Sequence, residues 1–232
     1  MENPDAIVLW QMGFVKINVT LLFSWLVMLL LVGISRFAGK HVRETLRPGD
    51  TQNLLESIVE LMSQQIAEVS QQKPGKYLPF IGTLFLYIAT SNLLAIVPGY
   101  VPPTSSLSTT AALAFCVLVA VPFFGITSSG VKEYLRNYVT PSVFMLPFNI
   151  LGEITRTLAL AVRLYGNMLS GTVVGAILLS LVPFFVPVVM QLLGLLTGMI
   201  QAYIFSILAM VYIASAERTH QSVVQNGAKG QE

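Results

Sequence analysis

Residues 142–181 read SVFMLPFNILGEITRTLALAVRLYGNMLSGTVVGAILLSL. Beyond Pro147 and Gly152, near its beginning, the stretch has no strong helix breaker. As one α-helix its forty residues would extend about 60 Å at 1.5 Å per residue, about twice the thickness of a bilayer's hydrocarbon core. The segment is therefore strongly tilted or broken near its start. Pro183 and Pro187 then make a turn, and Val188–Ser215 forms a second long apolar helix before a polar tail from Glu217.

Three more apolar runs precede this pair, at about 17–37, 77–97 and 107–126. The sequence thus specifies an all-α membrane protein with about five membrane-embedded helices in a single integral membrane domain over 1–232, the last two helices long and strongly tilted. Between the first two spans, residues 51–72 are amphipathic. Leu54, Leu55, Ile58, Leu61, Met62, Ile66 and Val69 recur three or four apart, with Glu56, Glu60, Gln64 and Glu68 between them. This is a surface helix, lying on the membrane or against a partner.

Composition agrees. Hydrophobic residues make up 54% of the 232 and charged residues 10%, too few charges to cover a soluble domain of this size. The single cysteine, Cys116, lies in an apolar run and reads as a packing residue. Met1 to Trp10 carries Glu2, Pro4 and Asp5 without a basic segment, so no cleaved signal peptide is expected and the first span stays.

Charge sets the topology. The loop after the first span carries six basic residues, Arg36, Lys40, Arg43, Arg47, Lys73 and Lys76, and the 127–140 segment carries two, Lys132 and Arg136. The segments 98–106 and 183–187 carry none. The positive-inside rule then places the N-terminus outside and the C-terminus in the cytoplasm.

The residues that carry function are polar groups deep in apolar helices. Asn149, Glu153, Arg156, Arg163, Asn167 and Ser170 follow one another at spacings of three, four or seven and form one stripe on a helix. Such a stripe suggests an aqueous path or a polar interface. Glu153 and Arg156, three apart, could equally pair as interhelical glue. Arg163 is different. An arginine at helix centre costs about 2.5–3.5 kcal/mol on insertion scales and cannot escape by deprotonation. It needs water, a counter-charge or a partner protein. On the last helix, Gln201 is as far from Val182 as Arg163 is, so an antiparallel hairpin puts them at one depth, where the glutamine could accept from the guanidinium. Gln191, Thr197 and Tyr212 complete that helix's polar set, and Gly194 and Gly198 favour close packing. No phosphate-binding loop, metal cluster, nucleophile elbow or nucleic-acid motif is visible, so no catalytic residue, metal or cofactor is expected.

Arg163-Leu164-Tyr165-Gly166-Asn167-Met168 resembles the signature of subunit a of F-type ATP synthases. Ser91-Asn92-Leu93-Leu94-Ala95-Ile96-Val97-Pro98-Gly99 resembles that family's second-span ending, and Gln201-Ala202-Tyr203-Ile204-Phe205 its last-helix motif. The three occur in the family's order over about residues 80–215. The resemblance implies a stator subunit, not catalytic by itself, in a bacterial plasma membrane, with c-ring proteolipids and subunit b as partners. It implies two half-channels passing H+ to and from the c-ring carboxylates, with Arg163 facing the carboxylate between them and Gln201 and Asn167 beside it. Asn149, Glu153, Arg156, Ser170, Thr172, Tyr212, Asn92 and Ser106 are then candidate half-channel linings.

The chain departs from the family at three titratable positions. Thr172 replaces a frequent glutamate, Gly194 its usual histidine partner, and Ser106 an aspartate. A Na+-translocating version of the subunit stays open, since the family includes such complexes. A stand-alone transporter would need its own midplane substrate site, often within a repeated architecture, and no repeat is seen. A purely structural scaffold would leave Arg163 unexplained.

Overall fold

The structure, a computed structural model, describes the backbone of residues 8–12, 15–41, 50–71, 74–97, 100–131, 145–181 and 186–229. The elements run β1 (Val8–Met12), β2 (Val15–Asn18), α1 (Val19–His41), α2 (Asp50–Ser70), α3 (Leu78–Leu93), α4 (Leu107–Ser129), α5 (Met145–Leu181) and α6 (Val186–Lys229). Among the described residues five helices, α1, α3, α4, α5 and α6, are long and apolar enough to cross a membrane. The protein is an all-α membrane protein, as its sequence indicates. A short antiparallel hairpin of β1 on β2, with Met12 opposite Val15, precedes α1 and was not expected.

The long C-terminal segment settles one open alternative. α5 is continuous from Met145, with no break at Pro147 or Gly152. Pro147 lies in the first turn, where the missing N–H costs no helical hydrogen bond. The tail from Glu217 is polar and also helical: α6 runs on past Ser215 to Lys229. Polar composition reports solvation and does not forbid helix. Residues 132–144, with Lys132 and Arg136, and Pro183 lie outside the described residues, as do the basic positions Arg43 and Arg47.

Local chemistry sets the shorter boundaries. α3 opens with a proline in its first turn, and its end tightens into a 3-10 turn over Leu94–Ile96. Val97 is extended (φ −73°, ψ 120°), the conformation favoured before a proline, here Pro98. α4 starts after Ser106, whose hydroxyl lies 2.6 Å from that of Ser108. It stops at Gly130, whose N–H bonds the Ile126 carbonyl and whose φ of +83° a side chain would disfavour.

The core joins α3, α4, α5 and α6. Ile81 and Ile88, Val117, Leu160 and Leu164, and Phe205, Met210 and Ile213 are fully buried. Buried alanines, among them Ala114, Ala161, Ala202 and Ala209, let the backbones approach, the packing mode of membrane helices. α2 packs on this bundle through Met62 and Ile66, and Tyr203 of α6 donates to Gln65 at 2.6 Å. α1 is tied to α3 by a bond from the Tyr87 hydroxyl to Ser24. The described side chains of α5 contribute only Leu160, Ala161 and Leu164 as buried apolar residues, and α5 exposes Leu158, Val162 and Leu169.

Candidate functional site

On α5, Arg163 sits at the edge between the buried Leu160–Leu164 face and a broad exposed apolar face that includes Leu158 and Val162. Its side chain is exposed and makes no hydrogen bond or ion pair among the described residues. A permanent cation in this apolar belt is costly unless something outside the chain meets it.

Gln201 of α6 is buried, 6% exposed, and its Nε2 has no hydrogen-bond partner among the described residues. The bond expected from Arg163 to Gln201 is not made. The reason is geometric: Gln201 turns into the helix bundle, whereas Arg163 stays on the outer edge of α5. A buried amide N–H without a partner forfeits about 1–3 kcal/mol.

The remaining polar residues of α5 divide into two groups on either side of Arg163. Towards its N-terminus, Asn149 is exposed and Glu153 half-buried. The Arg156 guanidinium lies 5.9 Å from the centroid of the Tyr212 ring, a cation–π contact that joins α5 to α6. Towards its C-terminus, Asn167, Ser170 and Thr172 line a cavity of about 420 Å³, closed on its other side by Asn92, Tyr100 and α6. Fourteen residues separate Arg156 from Ser170, about 21 Å along the helix, with Arg163 midway.

The cavity is mostly apolar, with a few neutral polar groups and no charged side chain among its described lining residues. Gln191 and Thr197 add an amide and a hydroxyl, and none of its lining residues is Asp, Glu, His, Lys or Arg. Its one phenol, Tyr100, is pushed well above its usual pKa by burial, with Tyr87 adding to the effect, and stays neutral. Thr172 and Gly194, two of the positions where the sequence lacks a titratable group, both line this one cavity. Ser106 is not among the described residues that line it; it is 1% exposed and immediately precedes α4.

Sequence reading missed the role of two residues here. Tyr100 was passed over as part of an uncharged loop. Gln191 was noted only as part of a polar set, yet its Nε2 reaches the Ile96 and Ala95 carbonyls at the end of α3. Its position three residues before Gly194 and seven before Gly198 was the available signal.

Residues 21–214 match the family model described as ATP synthase A chain. The chain is 56% identical over 227 residues to "ATP synthase subunit a" of Albidiferax ferrireducens, covering 98% of each. It is 58% identical over 219 residues to "ATP synthase subunit a 1" of Chlorobaculum parvum, covering 94% of this chain and 97% of the relative. With "ATP synthase subunit a" of Nitrosospira multiformis it shares 56% identity over 214 residues, 92% of this chain and 85% of the relative. A family model spanning most of the chain, and relatives this similar at nearly full length, place this five-span membrane protein in the ATP synthase A chain family, subunit a of F-type ATP synthases.

Proposed function

We propose that this chain is the ion-conducting stator subunit of its synthase, passing H+ to and from carboxylates on a rotating c-ring, and that Arg163 is the charge the carboxylate meets between two half-channels. The observation that carries this reading is Arg163 itself, a fixed cation on the exposed apolar edge of α5 with no internal partner among the described residues. A ring carboxylate would supply the missing counter-charge. A positive charge there favours the ionised carboxylate, so a loaded site releases its ion before passing.

The two polar groups on either side of Arg163 fit the two paths. The neutral cavity at Asn167 and Thr172 would be the half-channel from the outer face, and the group at Glu153, Arg156 and Tyr212 the path to the cytoplasm. About 420 Å³ is room for about a dozen waters at 30 Å³ each. Subunit b is the further stator partner. The apolar spans of α5 and α6, 33 and 29 residues, would extend about 50 and 44 Å against a core of about 30 Å, so both helices lie steeply tilted along the ring. The membrane is the bacterial plasma membrane, with the N-terminus outside and the C-terminus cytoplasmic.

One observation favours a second reading, a Na+-translocating version. The cavity offers neutral amide and hydroxyl oxygens and no titratable relay, a lining that suits a partly hydrated hard cation as well as a proton moving on water.

The test is Arg163→Ala in the assembled complex. Ion-gradient-driven ATP synthesis in vesicles should be lost and passive ion leak should rise, whereas assembly persists. Normal synthesis by a fully assembled variant would make the arginine structural and end the proposal. Replacing the driving H+ gradient by one of Na+ separates the two ions.

A further inference from the structure

The end of α3 and one face of α6 are joined by two amide side chains that run in opposite directions. Asn92 of α3 donates its Nδ2–H to the Gly198 carbonyl of α6 at 2.8 Å. Gln191 of α6 donates its Nε2–H to the carbonyls of Ile96 at 3.0 Å and Ala95 at 3.3 Å. Residues 191 and 198 are seven apart, about two turns, and so share a face of α6. Asn92 and Ile96 are about one turn apart. The two links therefore run along an antiparallel pair, with 92 against 198 and 96 against 191, the longer glutamine side chain making up the difference in rise.

Each link answers a local need. Ala95 and Ile96 close α3 before Pro98, where the chain stops supplying helical N–H donors, and Gln191 serves these terminal carbonyls from outside. The Gly198 carbonyl lies inside α6 and takes the Asn92 proton on its second lone pair. Asn92 also accepts from the Thr104 hydroxyl at 3.2 Å, and both residues are essentially inaccessible to solvent. The approach is as close as a glycine permits: a Cβ at 198 would stand 2.9 Å from Asn92.

This arrangement sits beside the candidate ion path. Asn92 and Gln191 line the cavity, and Gln201 follows Gly198 by three residues on the same face of α6. A rotation or slide of α6 would move Gln201 and the cavity wall together.

We propose that Asn92, Gln191 and Gly198 form a register clamp that positions α6, setting the width of the cavity and the direction of Gln201. These are positioning residues; the inference rests on the ion path proposed above. The clamp makes α3, the 100–104 loop and α6 one wall. Across the cavity, Thr172 on α5 donates to its own helix at Leu169.

The test uses the intact complex carrying Asn92→Leu, Gln191→Leu or both, which keep side-chain bulk and remove the donors. Hydrogen–deuterium exchange over residues 94–104 is measured first, since it reads the clamp whichever ion is carried and whether or not this chain conducts. ATP synthesis is then measured against outer pH, and against outer Na+ in a parallel series, at fixed membrane potential. Faster exchange in each variant, with a half-saturating ion concentration raised about threefold to tenfold and a smaller fall in maximal rate, is the expected result. Unchanged exchange overturns the clamp. Faster exchange with an unchanged half-saturating concentration per assembled complex overturns its positioning role. Failure of the ion path itself is read separately, from Arg163→Ala.

Discussion

Gly198→Ala tests a close approach of α3 to α6. The new Cβ would stand 2.9 Å from the Asn92 Cγ and Nδ2 and 3.0 Å from its Cβ, well inside van der Waals separation. Asn92 is 2% exposed and held at both ends, to Gly198 at 2.8 Å and by Thr104 at 3.2 Å, so it cannot swing aside without breaking a bond. Overpacking of this kind costs about 1–3 kcal/mol. Weakening the Asn92 bond adds about 0.6–1 kcal/mol in a membrane. Alanine returns up to about 1 kcal/mol through helix propensity. The net expectation is a loss of about 1–3 kcal/mol, the sum of those terms.

Gly194→Ala is the matched control, one turn earlier on the same helix, where a Cβ meets nothing within 4 Å. It should be neutral or slightly stabilising. The assay is the temperature at which this subunit dissociates from the detergent-solubilised complex, compared for the two variants. Asn92→Ala combined with Gly198→Ala should be no worse than Asn92→Ala alone, because the clash partner is gone. If Gly198→Ala proves as mild as Gly194→Ala, the close approach of α3 to α6 is wrong and the clamp falls with it.

Arg163→Lys should fail in ATP synthesis almost as completely as Arg163→Ala, because a desolvated ammonium can shed its proton and lacks the planar fork; vesicle synthesis near the normal rate would contradict this. At about 4 Å and an effective dielectric near 20, Arg163 would favour an ionised ring carboxylate by about 4 kcal/mol, so Arg163→Ala should raise that group's pKa by up to about three units, measurable by the pH dependence of carbodiimide labelling. Gln201→Ala should be milder than either, since no charge is lost. Tyr212→Leu should cost about 0.5–1 kcal/mol by removing the ring under Arg156, read in the same dissociation assay. A cysteine at position 50 should react only from the cytoplasmic side; labelling from outside would reverse the topology.

The sequence by itself determined the class of fold. Long apolar runs leave the backbone no option but helix in a bilayer, because every N–H and C=O must be satisfied within the segment. It also singled out Arg163, since a permanent cation in such a run has a cost that demands a reason. Both inferences depend on the order of residue types along one helix, which the sequence contains in full. The continuity of α5 through Pro147 follows from position within a turn, and the sequence left it open. So did the extent of α6 past Glu217, because composition there reports only solvation.

Tertiary structure decided what meets what. Gln201 and Arg163 share a depth by counting, yet one turns inward and the other outward, a difference in helix rotation set by packing at Leu164, Ala202 and Phe205. The Arg156–Tyr212 contact, the shared cavity of Thr172 and Gly194, and the reciprocal bonds of Asn92 and Gln191 all join residues about 20 to 110 positions apart. Spacing along a helix fixes which face a residue occupies. Only packing fixes which face it meets, because register between helices depends on side-chain volumes and close approaches such as that at Gly198, which no single helix encodes.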